Sequence, residues 1–278
     1  MDQIKDLISD GNLEEVFAPL LPLFPQAFRY LSPELRDEIW PIVQEYITKY
    51  DIQTSGTTGE EQIRSILHTD PVQLASEIDR EPFKTLIRTI LSARTRDDQT
   101  IKISNILFEH FDTPEKLAKA PENDVKEIIR PIGFYNSKTR YIMETSKMLL
   151  EEFDGKVPST FKELVKLPGV GSKVANCVLV YAFGIPAIPV DTHVHRIANR
   201  WGLVNTTNPE KTNQRLEEIL PKEWWLVIND LLIRFGKEIC KPINPSCDDC
   251  PLNHICPKIM KKKKASKKKR ARKTKKKK

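Results

Sequence analysis

LPGVGSKVAN, Leu167 to Asn176, sets two glycines and a lysine at the mouth of a helix. The preceding FKELVKL (161–167) has helical spacing, and Thr160 with Glu163 stands at the interval of a capping box. The following Val174, Cys177, Val178 and Tyr181 form an apolar stripe at helical spacing. That stripe reads Cys177 as a small buried apolar residue. The stretch is therefore helix, tight glycine turn, helix, with the hairpin over about 162–183. A nucleotide P-loop fails here, because it needs G-x-x-x-x-G-K-[ST] after a strand. Ser172 precedes the lysine, Val174 follows it, and the element before is helical. Gly169 and Gly171 are expected to admit positive φ and close approach of another backbone. The free N–H groups at the helix start then make an anion site. A plain helical corner is the alternative, and Lys173 argues against it. Helix dipole and partial burial both disfavour the ammonium there, which suits an amine nucleophile attacking an electrophilic sugar carbon.

Eighteen residues on, VDTHVHR (190–196) places Asp191 at the end of an extended link, AIPV (187–190), and Thr192 at the start of a helix. A carboxylate there caps a helix. It also suits an electrostatic partner of Lys173. His193 and His195 are two residues apart and point to different sides of a helix, so they are not expected to share a metal.

The formal charge of +7 is concentrated in one place. Residues 261–278, KKKKASKKKRARKTKKKK, hold 14 Lys and Arg, so residues 1–260 carry −7 (+7 less 14). Such a run is expected to be disordered and drawn to a polyanion. No apolar run approaches the roughly 18–20 residues of a membrane span. The first residues, MDQIKDLISDGNLEEV, lack a secretory pattern, so an intracellular protein is expected, in a nucleoid or a nucleus.

Cys240, Cys247, Cys250 and Cys256 crowd into ICKPINPSCDDCPLNHIC, spaced C-x6-C-x2-C-x5-C. In an intracellular chain a metal centre is the expected reading. Only one pair has the knuckle spacing of zinc sites, which argues for a wider object with thiolates on separate corners, zinc being the alternative.

The pattern elsewhere is helical almost throughout, so the fold class is all-α. Ser32 and Pro33 open one helix that Pro41 should kink, and TSGTTG (54–59) reads as a linker. Phe83, Leu86, Ile87, Ile90 and Leu91 share one helical face. PIGFYNSKTRYI (131–142) nearly repeats the hairpin's order of glycine, turn, Ser-Lys, helix.

LPGVGSKVAN, VDTHVHR and the cysteine spacing together resemble the endonuclease III branch of the helix–hairpin–helix DNA glycosylases, over roughly residues 80–257. The resemblance implies two helical domains, a helical barrel carrying the hairpin and a second domain carrying an iron–sulfur loop at 240–256, with a DNA groove between them. Residues 1–79 then form an N-terminal helical extension, and 258–278 a basic tail. It also implies a [4Fe–4S] cluster on Cys240, Cys247, Cys250 and Cys256, Lys173 as the nucleophile at C1′, and Asp191 as its assistant. The hairpin of Gly169, Val170 and Gly171 would hold a DNA phosphate, with His193 beside it. Arg94 in LSARTRD and Phe134 in GFYNSK occupy the positions that enter the duplex, and Asn136, Ser137 and Lys138 would line the groove. Arg94 departs from the glutamine common in bacterial members. Lysine and cluster together favour the bifunctional pyrimidine-lesion branch over mismatch and 8-oxoguanine relatives. The implied partner is double-stranded DNA with oxidised or ring-saturated pyrimidines or abasic sites, engaged by a monomer. A monofunctional mismatch glycosylase and a non-enzymatic DNA-binding protein are the competing readings.

Overall fold

The computed structural model describes residues 81–259, together with 4, 10, 12, 14–17, 19–20, 41, 53–54 and 57–58. The basic tail (261–278) and most of the helix expected after Ser32 lie outside the described residues. The elements are α1 (Glu14–Phe17), a minimal antiparallel pairing of β1 (Gln53–Thr54) with β2 (Thr57–Thr58), and then helices alone. These are α2 (Pro82–Ser92), α3 (Asp97–His110), α4 (Pro114–Lys119), α5 (Glu122–Ile129) and α6 (Tyr135–Glu152), followed by α7 (Phe161–Leu164) and α8 (Ser172–Phe183). Beyond an extended link come α9 (Thr192–Arg200), α10 (Pro209–Ile219) and α11 (Ile228–Glu238). No described helix is long and apolar enough to cross a membrane.

Two separate cores divide the molecule. The first gathers the buried faces of α2 to α8 around α8, where Val174 through Val180 are all buried. The face expected on α2 is the one that packs, and α2 lies directly on α8. The second core joins α9, α10 and α11 to the start of the cysteine loop and is centred on Trp201, Trp224 and Phe235. It also takes in Ile4, Val16, Phe17 and Leu20. Part of the expected N-terminal extension is thus built into this core, with the Phe17 ring 4.8 Å from that of Trp224 and 6.3 Å from that of Trp201.

The hairpin forms as expected, with one revision. The Thr160 hydroxyl accepts the Glu163 amide at 3.3 Å and opens α7. Gly169 takes φ +78°, and a Cβ there would sit 2.9 Å from Tyr141 on α6. Gly171 is instead extended, at φ −93° and ψ 179°, and nothing lies within 4 Å of where its Cβ would be. Only Gly169 answers to conformation and packing, while Gly171 leaves open space at the helix mouth. Gly169→Ala is expected to lower stability by about 1–3 kcal/mol through backbone strain and the clash with Tyr141. Urea denaturation should detect that loss, with Gly171→Ala nearly silent in the same measurement.

Candidate active site

α8 begins at Gly171, which has no side chain with which to cap it. The first N–H groups of a helix lack intrahelical partners, so this exposed end is an open, electropositive anion site. Lys173 lies within its first turn, half-buried. Cys177, one further turn along, is buried as expected and sits beside Lys173. Burial pushes its thiol pKa up, and the neighbouring ammonium opposes this. Val170 differs from expectation. Its side chain is buried in the first core and its N–H is already donated to Leu167 O at 3.1 Å, so it is spent on the turn.

The 187–190 link has no strand partner, so its buried carbonyls need other donors. Three asparagines provide them. Asn176 and Asn213 both donate to Ile188 O, at 3.2 and 2.9 Å, and Asn229 donates to Pro189 O at 2.6 Å. Asn229 in turn accepts the Tyr181 hydroxyl at 2.7 Å. This clamp delivers Asp191 to the N-terminus of α9, where its Oδ1 accepts the amides of His193 and Val194 at 2.8 and 2.9 Å.

A cleft of about 880 Å³ runs between the two helical bodies, lined among others by Lys173, Asp191, His193, Arg94, Asp97 and Lys237. The structure therefore brings the lysine of the hairpin and the aspartate of the second motif to one cavity. Lys237 meets Asp97 across it at 2.6 Å. Both side chains are half-exposed, so this pair contributes little to holding the bodies together. His193 is half-buried, and burial holds its imidazole below the ordinary value; Asp191 opposes this, while Arg196 and Lys237 add to it. His195 turns away, bonding Thr212 Oγ1 at 2.7 Å.

Arg94 and Phe134 stand exposed on facing turns, the guanidinium 5.3 Å from the ring centroid. Phe134, at φ +60°, supplies the left-handed position that glycine supplies in the true hairpin, so the 131–142 repeat is only partial. Asn136 and Ser137 are exposed but line a different depression, with Arg140 and Lys147. Lys138 does not line the groove. It is 4% exposed, and its ammonium donates inward to Leu91 O, Ala93 O and Thr95 Oγ1 at 2.7, 2.6 and 3.0 Å. Its place in the first turn of an otherwise exposed helix start concealed this from sequence reasoning.

Cys240, Cys247, Cys250 and Cys256 surround one small cavity. Among the described residues no group of three His, Cys, Asp or Glu side chains gathers as a single-ion site requires. Four thiols spread around a cavity fit a cluster with separate corners better than one tetrahedral ion. Burial pushes Cys250 up to about 11 and raises Cys256, so ligation as thiolates must displace protons. Two arginines that sequence reasoning passed over anchor the loop. Arg196 donates to Gly236 O and Cys240 O, both at 2.9 Å. Arg200, itself buried, donates to Cys240 Sγ at 3.1 Å and Lys241 O at 2.9 Å. The helical spacing of R-x-x-x-R after Asp191 was their only signal. Gly236 has room for nothing larger, since a Cβ would lie 2.5 Å from His193 Nδ1.

Two outcomes follow from this geometry. Asn229→Leu removes the side-chain donor to Pro189 O and an acceptor of the Tyr181 hydroxyl, and is expected to cost about 1–3 kcal/mol in urea denaturation. Arg200→Met removes the donor to Cys240 Sγ and Lys241 O, and its visible iron–sulfur absorbance is expected to decay faster under an iron chelator than that of wild type.

Residues 87–222 match the model of the HhH-GPD superfamily base excision DNA repair protein, and residues 240–256 that of the iron–sulfur binding domain of endonuclease III. The chain is 46% identical to endonuclease III of Thermotoga maritima over 197 residues, covering 71% of this chain and 91% of that protein. It is 39% identical to endonuclease III of Bacillus subtilis over 183 residues, covering 64% and 82% of the two chains. Among solved structures, a trapped endonuclease III–DNA covalent intermediate superposes with a TM-score of 0.62 at 40% identity, covering 64% of this chain and 84% of that one. A thermostable thymine-DNA glycosylase follows at a TM-score of 0.59 and 28% identity, with the same coverage. The cysteine loop is accordingly the seat of a [4Fe–4S] cluster held by Cys240, Cys247, Cys250 and Cys256. With 91% of a 46%-identical relative covered, the chain belongs to the endonuclease III family of base-excision-repair DNA glycosylases.

Proposed function

We propose that the protein is a bifunctional enzyme, a DNA glycosylase and abasic-site lyase acting on double-stranded DNA that carries oxidised or ring-saturated pyrimidines or abasic sites. The observation that carries this reading is the shared cleft. Lys173 and Asp191 line one cavity, next to a helix N-terminus that is open to an anion. A phosphate of the DNA backbone fits that end, held by the amides of Gly171 and the first turn of α8. The target base has to leave the stack to reach Lys173. Arg94 and Phe134, exposed beside the cleft, suit the space it vacates.

The lysine attacks C1′ as a free amine, and the C1′–N bond to the base breaks. The base takes up a proton as it leaves. The Asp191 carboxylate stabilises the positive charge that develops on the sugar and relays the amine's proton. Ring opening, in which the C1′–O4′ bond breaks and O4′ takes up a proton, gives the Schiff base. Removal of a C2′ proton then expels the 3′ phosphate, and water releases the unsaturated sugar and regenerates Lys173. The four-cysteine cluster orders residues 240–256 and is assigned no part in these steps. A purely architectural DNA-binding role would require neither Lys173 nor Asp191 in the cleft.

Borohydride reduction in the presence of duplex DNA carrying thymine glycol or an abasic site is expected to trap a covalent adduct. Lys173→Gln should abolish it, and a cluster-loaded wild type that gives none would refute the lyase reading. Asp191→Asn keeps a good helix cap, so the fold is expected to survive while the single-turnover rate falls by about 100-fold or more.

A further inference from the structure

We propose that Lys138 is a positioning residue for base extrusion, binding the turn that carries Arg94 to the helix start that carries Phe134 so that the two act as one rigid wedge. This rests on the function proposed above. The two turns are held in a costly conformation. Arg94 and Phe134 both have left-handed backbones, at φ +54° and +60°, which non-glycine residues adopt rarely and keep only where the surroundings over-determine them. Those surroundings form an interlock. Lys138, on α6, reaches back to Leu91 O, Ala93 O and Thr95 Oγ1, so its three N–H donors meet three acceptors on the Arg94 turn. In the opposite direction, Gln99 on α3 donates to Pro131 O at 2.7 Å, on the Phe134 turn. Gly133 closes the contact, since a Cβ there would lie 3.1 Å from Arg94 O. The guanidinium and ring then stack at 5.3 Å.

The choice of lysine is what points to function. No carboxylate pairs with it among the described residues, so a buried ammonium is maintained by backbone acceptors and one hydroxyl alone. An apolar residue would fill the space with a smaller desolvation cost. What the ammonium adds is rigidity in a turn that must not yield when a base is pushed from the stack. The charged groups on the segments around it are Lys84, Arg88, Arg94, Arg96, Asp97 and Asp98, and none of them bonds to it. Arg88 is engaged with Ser104 and Asn105, and Lys84 with Glu81.

The test compares two substrates, duplex DNA with thymine glycol and a single-stranded oligonucleotide with an abasic site, where no stack has to be opened. In the holoprotein, Lys138→Met is expected to slow single-turnover cleavage of the duplex by about ten- to hundredfold and to leave the single strand unchanged. Equal losses on both substrates, or no loss on either, would overturn the positioning role. A wild type inactive on both would instead refute the lyase reading, and this role with it. Should Lys138→Met fail to fold, wild type serves. Burial lowers the Lys138 pKa to about 8, so its third donor is lost as pH rises through that value. The ratio of duplex to single-strand rates is then expected to fall about tenfold between pH 7 and pH 9, following the protonated fraction. A ratio constant over that range would overturn the proposal.

Discussion

An extended segment buried between two helical bodies, with no strand beside it, must find donors for its carbonyls or not be buried. In this protein that requirement falls on residues 188 and 189, and three asparagines from three helices meet it. Much else depends on the clamp. It fixes where α9 begins, so Asp191 caps that helix at a set place in the cleft rather than at the end of a loose tether. α9 then carries the constraint onward, because Arg196 and Arg200 on the same helix bond the cysteine loop. The cap, the helix and the loop form one rigid piece, and the other body needs only to present Lys173 to it.

The cleft uses one physical device twice. Two helices, α8 and α9, start at it, and each start carries partial positive charge. At α9 the charge is already answered by the Asp191 carboxylate, which accepts two amides. At α8 the cap is a glycine with open space beside it. One end is closed by the chain's own anion, and the other is left for an anion from outside. The lysine stands just inside the open one. A body of net charge −7 can thus receive a polyanion through local dipoles and placed cations, without being basic overall.

Much of this was legible in the sequence, and for stateable reasons. Hairpin, cap and cysteine spacing are local patterns in which a few residues carry both the geometry and the chemistry. What escaped depended on partners distant in the chain. Lys138 was expected in the groove from the family resemblance, yet its three acceptors lie more than forty residues away. Val170 sits between two exposed glycines but turns into the core. Gly171 needed no positive φ, because openness, rather than conformational freedom, is its contribution. Asn176, Asn213 and Asn229 gave no signal at all, since an asparagine paired to a carbonyl far along the chain resembles any other asparagine.

Phe17 lies against Trp201 and Trp224 in the second core, in company with Ile4, Val16 and Leu20. The family resemblance begins near residue 80, and a protein engineer trimming to that boundary would cut away four apolar plugs. What remained would keep every residue of the cleft and every cysteine, yet expose a tryptophan-lined slot to water. Such a patch favours self-association. The minimal catalytic unit and the minimal soluble unit of this chain are therefore different lengths.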